Sequence, residues 1–256
     1  MNQVQIKPKG NLRGNYKLTW KVRFYFIEIS VFSTIILALL VSTYLRNEIW
    51  RDEVALWKDC MKKSPRKARV YSNLGFAYFQ ESNYGKALEM SQRAIEIDPK
   101  FARAYHNIGL VYQKTGDLDE AATMIRKSLE IDPALHIAHY SLGGVYFESR
   151  RYKEAVDAFN RFLKIFPRFP DVHHLVAIAY GAQKQFDRAI EEFEWELRIN
   201  PYHTLAHLNL GQIYWYEFQD KKRALYHLKA ALSLDPFLPN RKEIQRLVRV
   251  LEGLQQ

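Results

Sequence analysis

The chain of 256 residues has a single cysteine, Cys60, so no internal disulfide framework holds it together, and a lone cysteine fits either redox compartment. It contains no HExxH, CxxC, P-loop, GxGxxG or GxSxG, which leaves metal-dependent hydrolysis, nucleotide chemistry and serine-hydrolase chemistry without sequence support. Acidic residues are missing ahead of Phe24, where Lys7, Lys9, Arg13, Lys17, Lys21 and Arg23 stand. That flank supplies six of the net +10 and Glu28 takes one back, leaving a modest +5 for residues 46–256. No basic stripe or base-stacking module accompanies it, so nucleic acid is not an expected partner.

What the chain does have is a period. Tyr71, Leu74, Gly75, Tyr78, Ala87, Ala94 and Pro99 are followed, 34 residues on, by Tyr105, Ile108, Gly109, Tyr112, Ala121, Ser128 and Pro133. The third row is His139, Leu142, Gly143, Tyr146, Ala155, Phe162, Pro167, and the fourth His173, Val176, Ala177, Tyr180, Ala189, Glu196, Pro201. A fifth runs His207, Leu210, Gly211, Tyr214 and, after a one-residue insertion, Ala224, Ala231, Pro236. Leu, Gly and Tyr at i, i+1 and i+4 give a first helix an apolar stripe with a notch, into which the Ala of a second helix drops. Proline then ends the second helix. The pattern resembles tetratricopeptide repeats, helix-turn-helix hairpins that stack because none covers its own apolar face. The resemblance implies an all-α solenoid of five repeats over residues 67–236. Residues 237–256 read as a capping helix: Pro239 and Asn240 start it, Ile244, Leu247, Val248 and Leu251 face inward, and basic residues back it.

A run of about 22 residues, 24–45, has Glu28 as its only charge, matching the ~20 needed to cross a bilayer. With the basic flank 1–23 ahead of it, the positive-inside rule puts the N-terminus in the cytoplasm and the repeats outside, as a single-pass protein of the cell membrane, periplasmic in a Gram-negative cell. A cleaved signal peptide is the competing reading; the run is long for one and no clear A-x-A site follows. Glu28, near the cytoplasmic edge, can reach the headgroups or pair with a partner membrane helix. Pro65 falls 34 before Pro99, so residues 46–66 take the place of a second helix in a preceding half-repeat. Asp52 is the expected N-cap and Val54, Trp57 and Met61 the buried face. The chain is expected to turn within Asn47–Asp52, burying Trp50 and Trp57.

This junction, Thr43 to Asn47, then Trp50, an acidic pair, Leu56-Trp57, Ser64-Pro65 and Asn73-Leu74-Gly75, resembles the tail of polyprenol-sugar-dependent protein O-mannosyltransferase-like membrane proteins. In that family the last membrane helix feeds extracytoplasmic repeats, while the catalytic acidic residues lie in a large multi-helix domain. The resemblance therefore implies a detached C-terminal part or accessory subunit that presents acceptor protein, and assigns no catalytic residue here.

His139, His173 and His207 recur at the period, but equivalent residues of stacked hairpins lie about 10 Å apart, too far to share one ion. Packing in the slot of Tyr71 and Tyr105 is the favoured account. Asp117-Leu118-Asp119 mimics a sugar-nucleotide D-x-D yet falls in a turn, with Asp119 placed to cap a helix. Neither a metal nor a cofactor is assigned, and the chain is read as a non-enzyme. The candidate site is the concave face of the first helices. In the repeat family the residue before the motif Leu or Ile contacts a bound peptide backbone, which here implies Asn73, Asn107, Ser141, Leu175 and Asn209, and an amide both donates and accepts. Around them Arg69, Phe76, Phe79, Arg103, His106, Tyr140, Phe147, Trp215 and Tyr216 are expected to line the groove. Ile137 and Ser141 replace the two bases that the family's carboxylate clamp needs, so recognition of a Glu-Glu-Val-Asp tail is not expected. Phe162 and Glu196 stand where the other repeats carry a small residue, so a widened spacing and a cleft are expected there.

Overall fold

The computed structural model describes residues 25, 28–44, 52–238 and 240–253, and the chain divides into two compact units, Met1–Asp59 and Cys60–Gln256. In the first unit residues 28–44 form a helix, α1, on which Phe32, Ile36 and Leu40 are each more than half exposed. Among the described residues no helix is long and apolar enough to cross a membrane. Positions 24, 26, 27 and 45 of the expected span lie outside the described residues, as do the flank 1–23, Asn47 and Trp50. Helix α2 (Glu53–Lys63) starts on the expected cap: Asp52 Oδ1 accepts from Val54 N at 2.9 Å and from Ala55 N at 3.2 Å. Of its expected buried face, Val54 is buried, whereas Trp57 and Met61 are half-buried.

The second unit is a stack of hairpins: α3 (Ala68–Gln80) with α4 (Tyr84–Ile97), α5 (Ala102–Thr115) with α6 (Leu118–Ile131), α7 (His136–Glu148) with α8 (Tyr152–Leu163), α9 (Val172–Ala182) with α10 (Phe186–Ile199), and α11 (Thr204–Tyr216) with α12 (Lys221–Leu234). The repeating tyrosine closes each turn with its carbonyl: Tyr78 O accepts from Asn83 N and Tyr146 O from Arg151 N, both at 2.8 Å. One residue of each turn is left-handed, Ser82, Gly116, Arg150, Lys184 and Gln219, with φ of 59°, 92°, 59°, 59° and 56°. Only Gly116 adopts that conformation without strain. Within a hairpin the backbones touch through the motif glycine. A Cβ on Gly109 would stand 2.5 Å from Ile125 Cγ1 and 3.1 Å from Ala121 O, and one on Gly143 would stand 2.5 Å from the Phe159 ring.

The slot shared by tyrosine and histidine has a stricter requirement than packing. Tyr71 and Tyr105 donate their hydroxyls to the carbonyls of Pro65 and Pro99, at 3.1 and 3.2 Å. His173 and His207 donate Nε2–H to Pro167 and Pro201, at 3.0 and 3.2 Å. The slot calls for a flat ring with a donor at its tip, because the proline that ends the previous hairpin leaves a carbonyl without a helical partner.

Among the described residues the core includes a cluster around Ala68, Tyr71, Ala94 and Ala104 that Met61 joins, one running from α5 to α9, and one from α9 to the C-terminal helix α13 (Arg241–Gly253). On α13 Ile244, Val248 and Leu251 are buried, and Arg241 Nη1 caps α12 through the carbonyls of Leu232 and Asp235 at 2.7 and 2.8 Å. Pro239 lies outside the described residues.

Glu196, which stands where the other repeats carry a small residue, has a polar role inside its own hairpin. The residue is fully buried, and its carboxylate accepts from Asp171 N at 3.2 Å and His174 N at 3.3 Å. These are donors at the start of α9, where no side chain of its own N-cap, Asp171, helps, so an anion is favoured there by the orphan N–H groups and the helix dipole together. The carboxylate of α10 thus caps its partner helix in the same hairpin.

Candidate functional site

The first helices α3, α5, α7, α9 and α11 carry the expected groove residues. Arg69 and Arg103 are exposed, as is Phe76, stacked on half-buried Phe79 with centroids 6.0 Å apart. Asn73, Asn209 and Trp215 are half-buried, and Tyr216 is exposed. Phe147 is half-buried and set edge-on to Tyr152 at 5.7 Å, leaving one part of its ring on a neighbour in its own hairpin.

Two groove residues are engaged inside the stack. Asn107 is buried, and its Nδ2 donates to Ser72 O at 2.8 Å and Ser72 Oγ at 3.1 Å, tying α5 to α3. His106 is also buried and meets Ser141 Oγ at 2.9 Å. Since Ser141 donates to Ile137 O at 3.1 Å, it accepts from His106 Nε2–H. Burial, with the Arg103 charge adding to it, pushes His106 down to about 4, so the imidazole is neutral near pH 7. Asn107, His106 and Ser141 are thus braces between successive first helices, and their donors are not available to a ligand backbone.

The structure brings Arg103 and Tyr140 together with side chains outside the motif rows. Arg103, Ala134, Leu135, His136, Ile137, Phe162, Phe166 and Phe169 line a pocket of about 330 Å³. Tyr140 backs it, with its ring 5.3 Å from Phe162 and 5.6 Å from Phe169. Phe162 is buried as the floor of this pocket, whose other lining comes from α5, the start of α7 with the turn before it, and the connection after α8, and includes no residue of α9 or α10. Phe166 and Phe169 were legible only as apolar residues flanking Pro167 in what reads as a connection. A larger cavity of about 510 Å³ lies along α6, α7 and α8, with Arg126 and Arg161 balanced by Glu130, Glu154 and Asp157 and with His139 in its wall.

Asp171, Glu196 and His203 place ligand atoms within 4.8 Å of one another. His203 Nδ1 accepts from Ala206 N at 3.1 Å, so Nε2 carries the proton and donates to Asp171 Oδ1 at 3.1 Å. A cation on Nε2 would need the opposite tautomer and would cost α11 its cap, so the cluster is a capping network.

Stacked hairpins of this register, closed by a polar-backed terminal helix, define an α-solenoid of helix-turn-helix repeats. Family models described as TPR repeat and tetratricopeptide repeat match residues 77–116, 101–168 and 177–239. The chain is a tetratricopeptide-repeat protein. Among solved structures it resembles YrrB, described as a TPR protein with an unusual peptide-binding site, at 22% identity and TM-score 0.67, over 74% of this chain and 97% of that one. MamA from Desulfovibrio magneticus RS-1 matches at 22% identity and TM-score 0.60, over 65% and 94%. No curated protein matches the chain, and the resemblance to O-mannosyltransferase-like proteins finds no support in these matches.

Proposed function

We propose that the chain is a membrane-anchored scaffold without catalysis of its own, which holds a protein partner, through an extended peptide segment, on the extracytoplasmic side. The observation that carries the reading is the run of exposed basic and aromatic side chains on successive first helices, Arg69 and Phe76 on α3 and Arg103 on α5, ending at an apolar pocket. Aromatic rings and Arg are the side chains that dominate protein interfaces. The relative described as having a peptide-binding site supports the same reading by analogy of fold. Membrane attachment rests on the composition of residues 24–45, the exposed apolar side chains of α1 and the basic flank ahead of them.

Two measurements test it. A photo-crosslinking residue in place of Phe76 in the full chain, followed by purification from detergent-solubilised membranes, should capture a discrete partner that a copy carrying the crosslinker at exposed Phe237 does not. Equal capture from both positions would remove the groove from the reading. For topology, a Phe237→Cys, Cys60→Ser chain should react with an impermeant maleimide in intact cells; labelling only after lysis would place the repeats on the cytoplasmic side.

A further inference from the structure

The connection between α8 and α9 is unlike its equivalents. Helix α8 has 12 residues where α6 has 14, and α9 has 11 where α7 has 13. Pro167 and Pro170 bar helix through the segment, and the chain freed in this way presents Ile165, Phe166 and Phe169 at 50%, 43% and 39% exposure. Apolar side chains of this size held in solvent cost free energy unless something covers them. They are also ordered: the Phe162 ring lies 5.0 Å from both Phe166 and Phe169, and His136 meets Phe166 edge-on at 6.0 Å.

The opposite wall is the start of α7 and the first turn of α5, from which Arg103 reaches the pocket. Arg103 and His136 are the titratable side chains of the lining, and no acid is among them. In the turn before α7 the carboxylate of Asp132 is turned to the backbone, accepting from Ala134 N at 3.0 Å. A cavity of about 330 Å³ has the size of a small ligand site. It has an aromatic floor and one guanidinium at its rim, with the N-terminal dipole of α7 beside it.

We infer that this pocket takes a bulky apolar side chain whose near neighbour is a carboxylate, carried on a partner polypeptide lying in the groove. The inference rests on the peptide-binding reading above and names the ligand chemistry for it. The carboxylate meets Arg103, and the apolar group fills the space between Ile137 and the rings of Phe162, Phe166 and Phe169. That carboxylate can be a C-terminus or the side chain of an adjacent Asp or Glu; the chemistry is shared.

Fluorescein-labelled degenerate hexapeptide pools, titrated into the full chain in detergent micelles and read by anisotropy, test it. One pool ends in Phe with a free carboxylate, a second in Phe carboxamide, a third carries internal Phe-Asp with an amidated end, and a fourth ends in Ala with a free carboxylate. The first or the third should bind at least tenfold more tightly than the second and fourth, which identifies the source of the carboxylate. Arg103→Gln should abolish the preference for acid over amide, and Phe166→Ser, at a half-exposed position whose loss leaves helicity intact, should weaken every Phe-bearing pool about tenfold. Equal binding of acid and amide pools, binding indifferent to both substitutions, or no binding by any pool overturns the inference. Capture of a partner at Phe76 that survives Phe166→Ser would leave the groove reading standing while the pocket assignment fails.

Discussion

The first two hairpins and the last two follow one backbone plan and satisfy it with different polar chemistry. In α3 to α6 the slot ring is a phenol whose hydroxyl donates to a proline carbonyl, and a buried amide, Asn107, ties α5 to α3. In α9 to α12 the slot ring is an imidazole, and its second nitrogen goes on to another group: His173 Nδ1 to Glu192 Oε2 at 2.6 Å, and His207 Nδ1 to His227 Nδ1 at 2.9 Å. With Nε2–H of His207 given to Pro201, the shared proton of the second pair belongs to His227. The early hairpins are therefore braced by phenol hydroxyls and an amide, with His106 the imidazole among their braces, and the late ones by imidazoles that bridge two groups at once. The apolar and proline positions set the register, and the polar ones are free to differ.

Moving the buried acid across that divide should have the largest effect. Ala94 occupies in α4 the place of Glu196 in α10 and is fully buried. Ala94→Glu should cost about 4 kcal/mol, since no cap awaits the charge. Glu196→Ala should cost about 3 kcal/mol by orphaning the N–H groups of Asp171 and His174. Urea unfolding followed by far-UV circular dichroism measures both, and a near-neutral Ala94→Glu would show that the two places are equivalent after all.

A smaller difference is expected at the notch. Gly143→Ala drives a Cβ into the Phe159 ring and should cost about 2 kcal/mol. The fourth hairpin already carries Ala177 there, fully buried, so Ala177→Gly should cost only about 1 kcal/mol, the helix-propensity difference. Thermal melts that rank the pair the other way would place the closest backbone approach in the fourth hairpin.

Acidification sharpens the contrast further. Burial, then the neighbouring His203, pushes His174 down to about 4, and burial, then His207, does the same to His227. Both take up a proton near pH 6.5 when unfolded, so the stability they confer is complete above that pH and is lost as pH falls toward 4. His173 runs the other way. Burial lowers it, but Glu192 and the Pro167 carbonyl outweigh burial and raise it, so its contribution is present below pH 6.5 and lost as pH rises through its folded value. Unfolding curves at pH 7 and 5 should show a loss that His227→Gln reduces. In the early hairpins His106 titrates in the same sense, so His106→Gln is the control for them. An undiminished loss in His227→Gln would detach the pH response from the α11–α12 pair.

The smallest effect concerns the turns. Lys184→Gly and Arg150→Gly relieve a left-handed residue and should each stabilise by about 0.5 kcal/mol, less than the full strain because glycine adds chain entropy. Gly116→Ala should destabilise by a similar or larger amount, and calorimetry resolves the sign.

Much of this architecture was legible in the chain. The Leu-Gly-Tyr stripe, the Ala of each second helix and the closing prolines fix helices, turns and stacking order because each is a local or nearest-neighbour demand that repeats every 34 residues. Asp52 and Ile244, Val248 and Leu251 were readable for the same reason: a cap and an amphipathic face are sequence-local. The groove was legible as a face and not as a set of available donors. Asn73 and Asn107 stand at the same repeat position, yet Asn107 is buried against Ser72, one hairpin away, while Asn73 is half-buried.

By itself, then, the sequence determined the fold class, the register of the hairpins, the closing helix and the apolar run near the front, since periodicity and composition are carried by near neighbours along the chain. Only the tertiary structure decided that Glu196 caps a helix, that the recurring ring is held by a proline carbonyl, and that the connection between α8 and α9 folds its phenylalanines into a pocket facing Arg103. Each of these depends on which groups meet across two or more helices, and the satisfaction of a buried donor or charge is decided by that meeting and not by the residue's own segment.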